Sequence, residues 1–270
     1  MAEIAVIMPH RGGDAFLCDA VASILRQEGD VPLKLYLVDD ASPTHGWLDA
    51  IGPWRADPRL VLLQTDRQVG PFRITNWVLQ NSDEPYIAFH DADDWSAPNR
   101  LSLQLKALKA GRTDIVGSGF FIVEEDGAVL RTREMPRDVN RAHRRGNLFA
   151  ILHATTAFRR SVLQCLGGFD GTDIGVGADT EFYLRATFAC RMRNLPMPLY
   201  YYRQHPASLT AAKDTGARSV ARDAYVAKMY RQHYRRLGLW EVYRITPGRD
   251  SNLMNRPNDV SFEVRRPRMQ

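Results

Sequence analysis

This chain has little of several things, and each scarcity excludes a class of protein. It carries three cysteines in 270 residues, Cys18, Cys165 and Cys190. They are odd in number, scattered and without metal-ligand spacing, so neither a disulfide scaffold nor a zinc module fits. Ordinary buried thiols in a reducing compartment are expected instead. No apolar run approaches the roughly 20 residues that span a bilayer. The N-terminus enters a strand at once, through Ile4-Ala5-Val6-Ile7-Met8, without a basic n-region or a signal-type cleavage site. A cytoplasmic location is the resulting expectation. The P-loop and the dinucleotide glycine fingerprint are also missing.

Positive charge is unevenly placed. Residues 211–270 hold thirteen lysines and arginines against six carboxylates, a local +7 within a net charge of +5, so the first 210 residues are near neutral. A basic tail is drawn to anionic lipid headgroups and anionic polymers by non-specific attraction. A solvated helix face with a loose end is the weightier reading, and no nucleic-acid partner is expected.

What is present is an alternation of short apolar runs with helical patterns. Strands are predicted at Glu3–Met8, Leu33–Val38, Leu60–Leu63 and Tyr86–Phe89, with helices over Ala15–Gln27, 46–56, 71–82 and 97–110 between them. Strands separated by helices imply an α/β fold with a Rossmann-like, mostly parallel central sheet flanked by helices. Farther on, Asp114–Gly117, Phe120–Val123, His153–Phe158 and Leu199–Gln204 read as strands, and Glu125-Asp126-Gly127 as a hairpin turn. Ser161–Leu166 and Asp179–Ala189 read as helices, Gly167–Gly177 as a mobile glycine-rich loop, and 216–237 as a basic amphipathic helix.

Ligands of open α/β sheets collect beyond the carboxyl ends of the strands. Two carboxylate clusters fall there: Asp39-Asp40 after Val38, and Asp91-Ala92-Asp93-Asp94 after Phe89. Ionised carboxylates repel one another and are costly to desolvate, so a helix cap or a cation must account for the second cluster. Mg²⁺-type sites use one or two carboxylates together with substrate phosphates.

The order of motifs carries a resemblance. Met8-Pro9 ends the first strand, and Leu37-Val38-Asp39-Asp40-Ala41-Ser42 follows the first helix. Gly70 precedes Arg73-Ile74-Thr75-Asn76, and Asp91-Ala92-Asp93-Asp94-Trp95 precedes Pro98-Asn99-Arg100-Leu101. Then come Leu166-Gly167-Gly168-Phe169-Asp170, Ala178-Asp179-Thr180-Glu181 and Tyr202-Arg203-Gln204-His205. This order closely resembles the family 2 glycosyltransferases, inverting nucleotide-sugar-dependent enzymes of the GT-A fold, over residues 1 to about 210.

The resemblance implies a GT-A domain at 1–210, with a nucleotide-sugar-binding half at 1–110 and an acceptor-binding half at 111–210. A basic helical C-terminal extension and tail fills 211–270. It implies a UDP-sugar as the foremost donor, a saccharide or lipid-linked saccharide acceptor, and Mn²⁺ or Mg²⁺ as cofactor. Asp39 would accept from the uracil ring, while Asp40 takes the role of capping the following helix. Pro9, His10 and Arg11 fall in the base-lining loop, where Arg11-Gly12 stands in place of the usual Tyr-Asn. Arg73, Asn76, Asp91, Ala92 and Asp93 complete the donor contacts, and Asp91, Asp93 and His205 are the candidate metal ligands. Asp94 is expected to hold the next helix. Asp179 matches the general base, with Ala178 where many relatives have glutamate. Arg100 is open between a phosphate contact and a helix-face role, Trp95 between stacking on a sugar and covering the sheet, and His90 and His153 are uncommitted. The extension would bring the protein to the inner face of a membrane.

Two rivals remain. A nucleotidyltransferase-like enzyme would want a basic glycine-rich loop after the first strand, and Arg11-Gly12-Gly13 is only a faint echo of one. A non-catalytic nucleotide-sugar-binding module would have no reason to keep Asp39, Asp91, Asp93 and Asp179 together.

Overall fold

The apolar alternation along the first strand sets the architecture. In β1 (Ile4–His10) the side chains of Ile4, Val6 and Met8 enter one core, and those of Ala5 and Ile7 enter another. A strand buried on both faces needs cover on both sides, which helices of a doubly wound sheet supply. The computed structural model describes residues 2–12, 14–170, 177–206, 208, 220–238 and 262–264.

After β1 come α1 (Asp14–Leu25), β2 (Leu33–Asp39), α2 (Gly46–Ala50), a 3₁₀ turn at Gly52–Trp54 and β3 (Leu60–Thr65). Next are α3 (Pro71–Gln80), β4 (Tyr86–Phe89), β5 (Trp95–Ser96), α4 (Arg100–Lys109), β6 (Ile115–Val123) and β7 (Val129–Arg133). The chain continues through α5 (Val139–Arg144), a 3₁₀ turn at His153–Thr155, β8 (Ala157–Arg159), α6 (Ser161–Leu166), α7 (Ala178–Ala186) and β9 (Met192–Arg203). It ends with α8 (Val220–Gly238) and β10 (Phe262–Val264).

The strands form one sheet in the order β10-β3-β2-β1-β4-β8-β6-β9-β5, with β7 paired to β6. Pairing is parallel across β3-β2-β1-β4 and between β6 and β9, and antiparallel at the other junctions. The parallel half thus matches the α/β expectation, while the second half folds back on itself. One core takes Ile74 and Val78 of α3, Val162 of α6 and Phe182 of α7. The other takes Leu17, Val21 and Ile24 of α1 and Leu101, Leu105 and Leu108 of α4. Burying each such side chain contributes about 1.5–3 kcal/mol.

Several predicted elements differ in detail. Asp114–Gly117 and Phe120–Val123 are parts of one strand, β6. Gly119 between them marks a close approach, since a Cβ there would lie 2.8 Å from Arg133 O and 3.5 Å from the Pro198 backbone. The strand expected over His153–Phe158 starts only at Ala157. Thr155 donates its hydroxyl to Leu152 O at 2.8 Å and Thr156 to His153 O at 2.7 Å, which favours a 3₁₀ turn over a ladder. The arginine-rich stretch before Arg145 contains α5, capped by Asp138, which accepts from Arg141 N at 2.9 Å. The strand expected from Leu199, β9, begins at Met192. Of the expected loop at Gly167–Gly177, residues 171–176 lie outside the described residues. So do 216–219 of the basic helix and all of the tail beyond Gly238 except 262–264.

Candidate active site

The carboxyl ends of β1, β2 and β4 lie side by side, because His10 pairs with Asp39 and Ile7 with Phe89. Each strand exits there into a polar loop. Asp39 is fully buried at the end of β2. It accepts from Ser42 N at 3.1 Å, from Gln64 Nε2 at 2.9 Å and from the Ser42 hydroxyl. Gln64 stands opposite Asp39 in the β2–β3 register, a partner that no local motif signals.

Asp40 does not cap the helix that follows it. Its carboxylate accepts from Val69 N at 2.6 Å and Gly70 N at 2.9 Å, tying the end of β2 to the entry of α3. Gly70 is at φ +88°, a conformation that disfavours other residues, and Pro71 then opens the helix. Arg11 leaves β1 and donates Nη1 to Asp40 O and Ala41 O, each at 2.5 Å, so it locks the two loops together. Pro9 sits opposite Val38. His10 donates Nε2–H to Asp14 at 3.1 Å; burial lowers its pKa, against the opposing pull of Asp14, Asp39 and Asp93.

The Asp91-Ala92-Asp93-Asp94 run divides its work. The Asp91 carboxyl is pushed up to about 7, first by burial and then by repulsion from Asp93 and Asp179, with Arg100 opposing. Its backbone N–H donates to the Tyr200 hydroxyl at 3.1 Å. Asp93 Oδ2 accepts from His205 Nε2 at 2.8 Å. Asp94 does not hold α4, whose first residue follows Asn99 without a side-chain cap. It is buried, accepts from Arg203 N at 2.7 Å and so fastens β9 to the motif. Burial and its neighbours Asp93 and Asp91 raise its pKa well above the carboxylate range.

Arg100 resolves to neither role left open for it. It is fully buried beneath the motif, donating Nη2 to Phe89 O at 2.7 Å and Nη1 to the Ser96 hydroxyl at 2.8 Å. Desolvation lowers its pKa to about 10, and the neighbouring Asp91 and Asp94 oppose that shift. A signal was present in the sequence: positions 100 and 104 share the helix face of Leu101, Leu105 and Leu108, and a charge on an apolar face demands a buried partner.

Asp179 lies in the first turn of α7, near enough to Asp91 to raise its pKa and near enough to His153 to favour the imidazolium. His153 nevertheless stays neutral, its pKa lowered by burial to about 4. Its Nδ1 lies 2.9 Å from the Tyr183 hydroxyl, which also meets the Thr156 hydroxyl at 2.7 Å. His90 is buried, its pKa lowered to about 3 by desolvation, and donates Nδ1–H to Asp91 O at 2.7 Å. Arg73 lies on the first turns of α3, half-buried. Asn76, expected near the donor, spends both ends of its amide on the Phe169 backbone, at 2.8 Å each. Trp95 stacks on Tyr201 with centroids 5.0 Å apart, and Tyr201 stacks on Phe121, so the indole covers the sheet.

The three expected metal ligands are not gathered as a set: among the described residues no group of three His, Cys, Asp or Glu side chains converges on one point. Asp93 and His205 do meet. A carboxylate and an imidazole suit Mn²⁺-like ions, and a cation that also binds phosphate oxygens needs only such a pair from the protein. The residues present therefore fit a divalent ion shared with a diphosphate. Holding it would use His205 Nε2 in its other tautomer.

Comparisons with known proteins bear on the family and the fold. The model of the family described as "Glycosyl transferase family 2" matches residues 5–167. The uncharacterized glycosyltransferase EpsJ of Bacillus subtilis is 26% identical over 220 residues, which cover 77% of this chain and 62% of EpsJ. The crystal structure of S. aureus TarS 1–349 in complex with UDP-GlcNAc superposes with a TM-score of 0.59 at 19% identity, over 76% of this chain and 60% of that one. The mannosyltransferase PcManGT from Pyrobaculum calidifontis, in complex with GDP-Man and Mn²⁺, gives 0.58 at 18% identity, over 93% and 69%. At these identities the two structures share the fold. Asp179 and His205 lie beyond the matched segment.

Proposed function

This chain belongs to the Glycosyl transferase family 2, and on that premise we propose that it moves a sugar from a UDP-sugar to a hydroxyl of a saccharide or lipid-linked saccharide, with inversion. One observation carries the reading. Asp91, Asp93 and Asp179, from the end of β4 and the start of α7, come close enough for the latter two to raise the first. Both the donor and the acceptor side of such a reaction call for carboxylates at one point.

Asp39, oriented by Ser42 and Gln64, has one Oδ1 lone pair left for a ring N–H of the base. Pro9, His10 and Arg11 line that end, and Arg73 and the Asp91–Asp93 segment face the diphosphate. Asp93 and His205 would hold the divalent ion, which when bound would neutralise charge on the leaving diphosphate. Asp179 accepts the proton of the attacking hydroxyl. As that oxygen bonds to the anomeric carbon, the carbon–oxygen bond to the diphosphate breaks and its electron pair leaves with UDP. Asn76 supports the site from behind by fixing Phe169.

The experiment is UDP release from a panel of UDP-sugars with Mn²⁺, with water or added saccharides as acceptor. The wild type should release UDP, and Asp93→Ala should not, while both melt at similar temperatures. A wild type inert to every donor, or an active Asp93→Ala, rejects the reading. A GDP-sugar panel run alongside reports the base. Binding of UDP without turnover, unchanged in Asp179→Asn, would favour the non-catalytic module.

Among the described residues no helix is long and apolar enough to cross a membrane. Lys228, Arg231 and Arg235 are exposed on α8, and salt-sensitive flotation with anionic liposomes tests whether they meet a membrane surface.

A further inference from the structure

Among the described residues, the first turn of α7 has no side-chain cap. Gly177 opens it in the left-handed region, at φ +77°. The leading N–H groups of a helix have no partner within it, so such an end frays unless something packs on it. Two contacts meet that need. Arg185, nearly buried, donates Nε to both oxygens of Glu181 at 2.7 and 2.9 Å and Nη2 to Gly168 O at 2.9 Å. This ties α7 to the segment that Asn76 already holds at Phe169.

The second contact comes from α8. The space a Cβ on Gly177 would occupy is filled: Tyr225 Cδ1 and Cε1 lie 2.9 and 3.0 Å from that point, and Met229 Cε lies 3.3 Å away. Met229 is buried with Leu148 and Leu184, and a turn later His233 donates Nε2–H to His143 O at 2.9 Å. Burial raises the pKa of the Tyr225 hydroxyl, and the charges of Glu181, Asp170 and Asp179 add to the shift. A tyrosine ring is stiff, so a ring seated on a glycine transmits its own position to the backbone beneath it.

We propose that Tyr225 is a positioning residue for Asp179: its ring, seated where Gly177 lacks a side chain, sets the first turn of α7 and with it the aim of the Asp179 carboxylate. The inference rests on Asp179 acting as the base. It makes α8 part of the catalytic unit, although α8 lies outside the family-matched segment.

The test compares Tyr225→Ala, Tyr225→Phe and Asp179→Asn in the full chain. The readout is UDP release from whichever UDP-sugar of the panel the wild type turns over fastest, with water as acceptor. Rates are normalised to UDP-binding sites, so that loss of folded protein does not count. Tyr225→Ala should lower kcat by about ten- to a hundredfold at unchanged donor KM, the cost of a misplaced catalytic group. Tyr225→Phe should restore kcat to within about twofold, because the ring remains. A Tyr225→Ala variant with wild-type kcat, a loss that falls on donor KM, or a Tyr225→Phe variant as poor as Tyr225→Ala overturns the proposal while Asp179→Asn stays inactive. An active Asp179→Asn overturns the base assignment itself, which separates the two failures.

Discussion

His205 Nε2 lies 2.8 Å from Asp93 Oδ2, joining the segment just after β9 to the loop after β4 across more than a hundred residues. Both atoms are competent metal ligands, and the imidazole is almost fully buried, whereas Asp93 is about one-third exposed. Asp93→Ala should abolish metal-dependent UDP release. His205→Ala should weaken Mn²⁺ by roughly ten- to a hundredfold and leave saturated turnover closer to wild type, on the scale seen when a metal site loses a supporting group. A Mn²⁺ titration of UDP release checks both. Equal Mn²⁺ midpoints for wild type and His205→Ala would remove the histidine from the site.

Asp179→Asn keeps the shape of the side chain and removes its basicity. UDP binding should be unchanged in a thermal-shift assay, while kcat falls by about 10²–10⁴-fold, the range for losing a general base. A parallel loss of UDP affinity would place Asp179 on the donor instead.

Arg100→Met deletes a buried charge that Asp91 and Asp94 face. It also frees Phe89 O and the Ser96 hydroxyl. Each buried acceptor left without its donor costs about 1–3 kcal/mol. Urea denaturation should show a loss of that order. A change below about 1 kcal/mol would mean that other donors satisfy Phe89 O and the Ser96 hydroxyl once the guanidinium is gone.

Acid should unfold the protein partly through histidines. His90 and His143 have their pKa values lowered to about 3 and His153 to about 4, each first by burial. Unfolded histidine titrates near 6.5, so between that value and 3–4 the unfolded chain binds protons that the folded chain refuses. Their stabilisation is complete above pH 6.5 and is lost as pH falls, by up to about 1.4 kcal/mol per pH unit for each group. Asp91, raised to about 7, acts with the opposite sign over pH 4–7. The clean measurement is therefore a difference. His143→Asn, which keeps a polar partner for the Thr187 hydroxyl now 2.6 Å from Nδ1, should flatten the stability–pH slope between pH 4 and 6. An unchanged slope would show that His143 is protonated in the folded protein.

The parallel half of the fold is legible because its cause is local. Ile4–Met8, Leu35–Val38 and Ile87–Phe89 are apolar runs, and a run buried on both faces says so in one dimension. Asp39, Asp91 and Asp93 are legible for the same reason, as carboxylates placed where such runs end. What escapes is pairing over long separations. Asp40 reads as a helix cap until Val69 and Gly70 are seen beside it, and Asp94 reads the same way until Arg203 N reaches it. Asn76 matches a donor-site position by its spacing, yet its amide is engaged by Phe169. The 3₁₀ turn at His153–Thr155 hides in a run of threonines that favours strands by propensity, because the hydroxyls bond back to the chain.

The two-residue pairing of β5 with β9, Trp95 with Tyr201 and Ser96 with Tyr200, also bears on the order of events during synthesis. Asp91, Asp93 and Asp94 emerge from the ribosome about a hundred residues before Tyr200, Arg203 and His205, and closure over such separations is slow. Until the chain has been made past β9, the acidic loop lacks the imidazole that meets Asp93. The contact between Asp93 and His205, and the two-residue pairing that aligns it, therefore form only after nearly the whole of the body has been made.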